Sequence, residues 1–212
     1  SHVDYTNCPG QRPAGAPLEG SWIDVPNSHV RILPVCSMHP AQVGPYHFGE
    51  GAVAQDQCAL PTAASGWLEG QTLALVIDFL DEDRKPAFRV FYQDAPTDAP
   101  IGHVPAVMLA DKAVDVSLLC VGSSDSVEDH PTKIVANTKP RFALSGHWED
   151  FLQPVGAPPK PIPLLDLQGY VTRAEAALPG PADAPLVVDG EPRTTRHVLV
   201  DPGARFVVPP AP

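Results

Sequence analysis

The sequence predicts a mixed α/β fold. Three observations carry that prediction. Apolar runs of strand length recur along the chain, two stretches carry helix signals, and polar residues collect where the apolar runs stop. The first run, VRILPVCSM over 30–38, leads straight into His39. TLALVIDFL over 72–80 is long and apolar enough for a strand buried on both faces. DEDRKP then forms a turn cluster, and AFRVFYQD over 87–94 alternates, which suits a partner strand in a hairpin. VDVSLLCVG over 114–122 is a further buried strand. HPTKIVANT over 130–138 puts Pro131 at a first-turn position and gives Ile134 and Val135 as one apolar face, which predicts a short helix. RFALSG over 141–146 is the next strand, and LLDLQGYVTRAEAAL over 164–178 is a second helix. HVLVDPGARFVV reads as a closing hairpin turning at 201–204.

Composition narrows the function classes. The 212 residues suffice for one large domain with a real core. A net charge of −11, with no Lys/Arg run, argues against a phosphate-backbone partner and so against nucleic acid. No stretch approaches the roughly 20 apolar residues a membrane helix needs. The chain opens at Ser1 without methionine or a signal-like segment, so a processed chain or part of a longer one is expected. Cytoplasmic and secreted or periplasmic locations both stay open.

Four cysteines are too few for a disulfide scaffold of this size. Cys36 and Cys120 lie in apolar runs and are expected to be small buried hydrophobes. Cys8 and Cys58 sit in loop-like sequence, where an oxidising compartment would let them pair, as in a secreted Pro-rich interaction domain. The 27 prolines concentrate after residue 153, and 152–163 reads as an extended linker.

The polar residues at the strand ends carry the chemistry. One strand delivers His39, a second Asp94, a third His147. Sheet edges where loops begin are where α/β layers build sites. Two imidazoles and a carboxylate form a donor set for zinc or another first-row ion. Each residue alone also has an ordinary reading, as a solvated histidine or a turn-forming aspartate.

The series VRILPVCSMHPA, FRVFYQDAP and PRFALSGHWEDF resembles the second half of a metallo-β-lactamase-fold hydrolase. The branch it is most similar to holds the bacterial ascorbate-phosphate lactonases and the N-acyl-phosphatidylethanolamine phospholipases D. His147-Trp148 with Phe151 and the pair His130-Pro131 match that branch, GHWEDF being the most specific segment. The resemblance implies an αββα sandwich that lacks part of its N-terminal half in this chain. Residues 1–20 would be an irregular segment, 21–151 the second half of the domain, and 152–212 a Pro-rich extension with one helix and a hairpin. It implies that Asp94 bridges two metals, that His39 binds the first and His147 the second, and that His130 reaches the substrate. Zinc is the expected ion, one or two per site, with manganese or iron as alternatives. The implied activity is attack by a metal-activated water on an ester, lactone or phosphodiester. The alternative is a non-catalytic relative with a degenerate site, serving as a binding or structural module.

One departure stands out. The hallmark His-x-His-x-Asp-His has no intact copy here. Either it lies upstream of Ser1, or SHVDYTN at 1–7 is a decayed copy in which His2 and Tyr5 match.

Among the remaining candidates, His47 is expected to stack in its loop with Tyr46 or Phe48. His29, His103 and His197 are expected at the surface. Trp148 and Phe151 are expected to pack rather than wall a pocket. Glu149 or Asp150 would orient an imidazole, or Asp150 would cap the next turn. The chain has no G-x-S-x-G elbow, P-loop or GxGxxG, so serine hydrolases and nucleotide binders lack support.

Overall fold

A computed structural model describes residues 20–42, 46–49, 51, 53, 59–70, 72–154 and 156–211. Its largest element is a seven-stranded mixed sheet. In chain order its strands are β1 (Ile23–Asp24), β2 (Val30–Cys36), β3 (Leu73–Leu80), β4 (Pro86–Gln93), β5 (Val116–Cys120), β6 (Phe142–Gly146) and β9 (His197–Leu199). They lie side by side in that same order. The first four strands pair antiparallel. From β4 onward, β5, β6 and β9 pair parallel. A three-stranded sheet holds β7 (Leu186–Val188), β8 (Glu191–Arg193) and β10 (Phe206–Val207). The two helices are α1 (Thr132–Thr138) and α2 (Leu167–Ala177).

The expected mixed α/β class and the expected β3–β4 hairpin are both present. The helix expected over 130–138 starts two residues later, with Pro131 at its N-cap. Asp166 caps α2, accepting the Gly169 N–H at 2.9 Å.

One face of the sheet carries the main core. Leu33, Val35, Ala74, Val76, Phe91, Leu119 and Ala143 pack there against Ile134 and Val135 of α1. Each of the buried Leu, Val, Ile and Phe side chains contributes about 1.5–3 kcal/mol, the two alanines less. On the other face β7 and β10 sit over β5 and β6, with Leu186 against Val116, Phe142 and Leu144.

That placement corrects the expectation for β3. Its burial alternates, with Ala74, Val76, Asp78 and Leu80 buried and Leu75, Ile77 and Phe79 partly exposed. The second layer covers β5 and β6, so the outer face of β3 keeps water contact.

Three further expectations change. The closing hairpin divides between sheets. The turn at 201–204 forms, with the Ala204 N–H on the Asp201 carbonyl, but β9 pairs with β6 and β10 with β7. His197 is buried at 5 % exposure instead of lying at the surface, because β9 is a strand of the large sheet. Cys36 is buried as expected but is also disulfide-bonded. Cys120 is free, and Cys8 and Cys58 lie outside the described residues. No helix among the described residues is long and apolar enough to cross a membrane.

Gly102 locks the loop after β4 onto β2. Its N–H donates to the Cys36 carbonyl at 2.7 Å, and its φ is +71°. A Cβ there would collide with the Thr97 methyl and stand 2.7 Å from Gln93 Nε2. Gly102→Ala is therefore expected to cost about 1–3 kcal/mol, from overpacking and a left-handed backbone. A urea midpoint unchanged by the substitution would refute this.

Candidate functional site

The strand directions bring the polar residues to one edge. Strands β2, β4, β5 and β6 all run the same way, since β2 and β4 are each antiparallel to β3. His39, Asp94, Cys120 and His147 follow or end these four strands. Carboxyl ends of parallel strands are where open α/β sheets place their ligands. The four residues line a cavity of about 450 Å³, together with Phe151 and residues 162–165. A second hollow of about 240 Å³ shares Asp94, Cys120 and His147. Both volumes are at or near the range of small-molecule pockets.

The backbone at His147 is left-handed, with φ +57°. Such a conformation is uncommon outside glycine, although histidine adopts it more readily than most residues. It turns the exposed ring back over β5, where Nδ1 lies 3.2 Å from Cys120 Sγ. Gly122 leaves room for this, since a Cβ there would meet the His147 carbonyl at 3.2 Å and its ring at 3.4 Å. The Phe151 ring stands 6.1 Å from that of His147. In His39, Nδ1 lies 2.9 Å from the Pro40 carbonyl, which only accepts. That nitrogen therefore carries the proton, and in the neutral ring Nε2 is the nitrogen with a lone pair.

Asp94 is exposed. Beside it, burial raises the Tyr92 phenol above its ordinary value, and the charge and hydrogen bond of Asp94 add to the effect. Burial also pushes the Cys120 thiol up to about 12, with Asp94 contributing. Cys120 thus stays protonated at neutral pH and is not an activated nucleophile.

The three donors read from the sequence, His39, Asp94 and His147, therefore come to one cavity. His130 does not line it. It is buried, and its Nε2–H donates to the Cys120 carbonyl at 3.1 Å. Burial lowers its pKa to about 4 in spite of that bond, so the ring is neutral. Trp148 packs as expected, with Nε1–H on the Val200 carbonyl at 2.7 Å. Phe151 does not pack: it is 73 % exposed and walls the cavity. Glu149 accepts the Trp148 N–H, and Asp150 caps the turn through the Leu152 N–H and the Gln153 amide. Both carboxylates serve the loop rather than the imidazole. His47 is an exposed loop residue.

Several lining residues had no reading as site residues, Cys120 and residues 162–165 among them. Cys120 was hidden by its apolar strand. Residues 162–165 fall at the end of what reads as a linker. That segment instead folds back on the strand-end loop, where the Asp150 N–H meets the Lys160 carbonyl at 2.7 Å and the Ile162 N–H meets the Trp148 carbonyl at 2.8 Å.

Fold and edge cavity together define a mixed α/β protein with a large mixed sheet and a small-molecule-sized pocket at its carboxyl edge. No protein-family model, curated protein or solved structure matches the chain. Among the described residues, no group of three or more His, Cys, Asp or Glu stands close enough to hold a metal ion.

Proposed function

We propose that this chain is a metal-dependent hydrolase of the metallo-β-lactamase type, acting on an ester, lactone or phosphodiester. The observation that supports it is the convergence of His39, Asp94 and His147 from three strand ends on one cavity. Their donor chemistry suits zinc, or manganese or iron in its place. An ion bound there would supply a water that ionises near neutral pH. The spacing of the described donors does not close on an ion. What the residues themselves do is narrower. His39 presents Nε2, Asp94 presents an exposed carboxylate held beside Tyr92, and the Cys120 contact fixes the His147 ring. The αββα sandwich is part of the same proposal. The half-exposed Leu75, Ile77 and Phe79 face of β3 is the surface on which its second sheet would pack.

Metal analysis of the purified protein tests this reading. Zinc, manganese or iron should copurify. His147→Ala should cut metal affinity by about 100-fold or more, at or beyond the upper end of what losing a mere partner of a ligand costs. Protein free of all three ions, with hydrolysis unchanged in His147→Ala, would end the proposal. The donor spacing favours a second reading, a binding module with a degenerate site, which predicts ligand binding without turnover.

A further inference from the structure

We infer that the cavity takes an uncharged ligand bearing an apolar chain, and selects against phosphodiesters and other anions. The inference narrows the proposal above to its ester and lactone substrates, rests on this cavity being the substrate site, and counts the charges of the chain's own side chains, apart from any ion held by His39, Asp94 and His147.

Its first support is charge. All but Arg12 of the 14 Lys and Arg residues lie among the described residues, and none of the described ones lines the cavity. Among the described residues, the charged ones that do line it are Asp94 and Asp125. Arg173, the cation bonded to Asp125 at 3.4 Å, is not in the wall and also donates to the His130 carbonyl. A phosphodiester would leave water without the Arg or Lys partner that recognition of such an anion relies on.

The second support is the wall itself. Ala95, Pro96, Phe151, Ile162, Leu164 and Leu165 form its apolar part. Leu164 is 100 % exposed and sits at φ +70°, and Phe151 is 73 % exposed. An apolar side chain held fully in water, in a backbone conformation that is itself unfavourable, has two costs that no described contact offsets. An alkyl or acyl chain laid along Leu164 and Phe151 removes the first. Uncharged polar groups add to the lining, the Gln42 amide and the Ser123 and Ser126 hydroxyls beside the imidazoles of His39 and His147, and these suit a neutral carbonyl head.

Calorimetric titration of the full chain with γ-butyrolactone, γ-hexalactone, γ-octalactone and γ-decalactone tests this. Affinity should rise about threefold to fourfold per buried methylene until the cavity is filled. Dibutyl carbonate should bind at least about tenfold more tightly than dibutyl phosphate, its anionic counterpart. The double substitution Phe151→Ser with Leu164→Ser should flatten the chain-length series and leave the unfolding midpoint unchanged, since both side chains are exposed. The inference is overturned by a flat wild-type series, by absence of binding by every lactone, by equal affinity for the phosphate, or by a series unchanged in the double variant. Turnover of the same compounds separates the two claims. Chain-dependent binding without hydrolysis sinks the hydrolase and keeps the inference. Hydrolysis of the phosphodiester without chain dependence does the reverse.

Discussion

Replacing Arg89 by methionine is expected to cost about 3–5 kcal/mol of folding stability, because it leaves a buried carboxylate without its main partner. Arg89 and Asp78 are both fully buried. They face each other across the β3–β4 pair and meet in a bidentate fork, Nε to Oδ1 at 2.6 Å and Nη2 to Oδ2 at 2.7 Å. Arg31 of β2 adds a contact to Asp78 Oδ2 at 2.7 Å and stacks over the Trp22 ring at 4.1 Å. Burial works against the Arg89 charge, and the Asp78 and Asp111 carboxylates more than offset it. Removing one member therefore costs far more than removing both. Arg89→Met combined with Asp78→Leu should recover much of the loss, since an apolar pair of similar volume can replace a buried ion pair. Urea midpoints of the two variants decide it. A loss below about 1 kcal/mol in Arg89→Met would show that the network contributes no more than a surface pair.

This network lies in the half of β3 and β4 away from the cavity, with Arg89 near the middle of β4 and Asp94 just past its end. Its role is to hold β2, β3 and β4 in register, and those strands set where His39 and Asp94 emerge. It was not read from the sequence, although its elements are there. Asp78 interrupts TLALVIDFL and Arg89 interrupts AFRVFYQD, and a hairpin turning at DEDRKP sets them opposite one another. A strand taken as buried on both faces hides such a pair, whereas an alternating strand shows it.

The strands themselves were legible because apolar runs of strand length stop at turn residues, and one of them, 87–94, also alternates. His39, Asp94 and His147 were legible for the same reason: the run stops and a donor follows. What failed was longer in range. Proline-rich sequence carries no signal that it will fold back along Trp148–Asp150, because that depends on the backbone bonds of Asp150 to Lys160 and of Ile162 to Trp148. His197 lies just before a predicted turn and looked solvated, yet its strand is claimed by β6, a parallel partner about 50 residues earlier. Parallel pairing leaves no local signature, since the connection is long.

That misplaced histidine leads to the second large effect, loss of stability in mild acid. His197 is buried against Ser145, whose Oγ lies 3.1 Å from Nε2, and against the Tyr170 ring at 6.1 Å. His130 is buried between the Cys120 carbonyl and Tyr170, with Arg173 donating to its own carbonyl. Burial lowers both to about 4 from an ordinary value of 6.5. The unfolded chain binds these protons below about pH 6.5, whereas the folded chain does not until about pH 4. Stability is therefore full above pH 6.5 and falls progressively down to pH 4. Each histidine contributes on the order of 3 kcal/mol over that window, and the slope approaches about 2.7 kcal/mol per pH unit while both titrate. The carboxylates act lower. Burial alone would raise the Asp111 pKa, but Arg31 and Arg89 hold it down, so its contribution is lost only as pH falls below the ordinary 3.8. Urea titrations at half-unit pH steps should show the histidine slope, and His197→Gln or His130→Gln should each remove about half of it. Stability that stays level from pH 7 to pH 4, or a slope untouched by both substitutions, would mean that neither ring is held neutral by the fold.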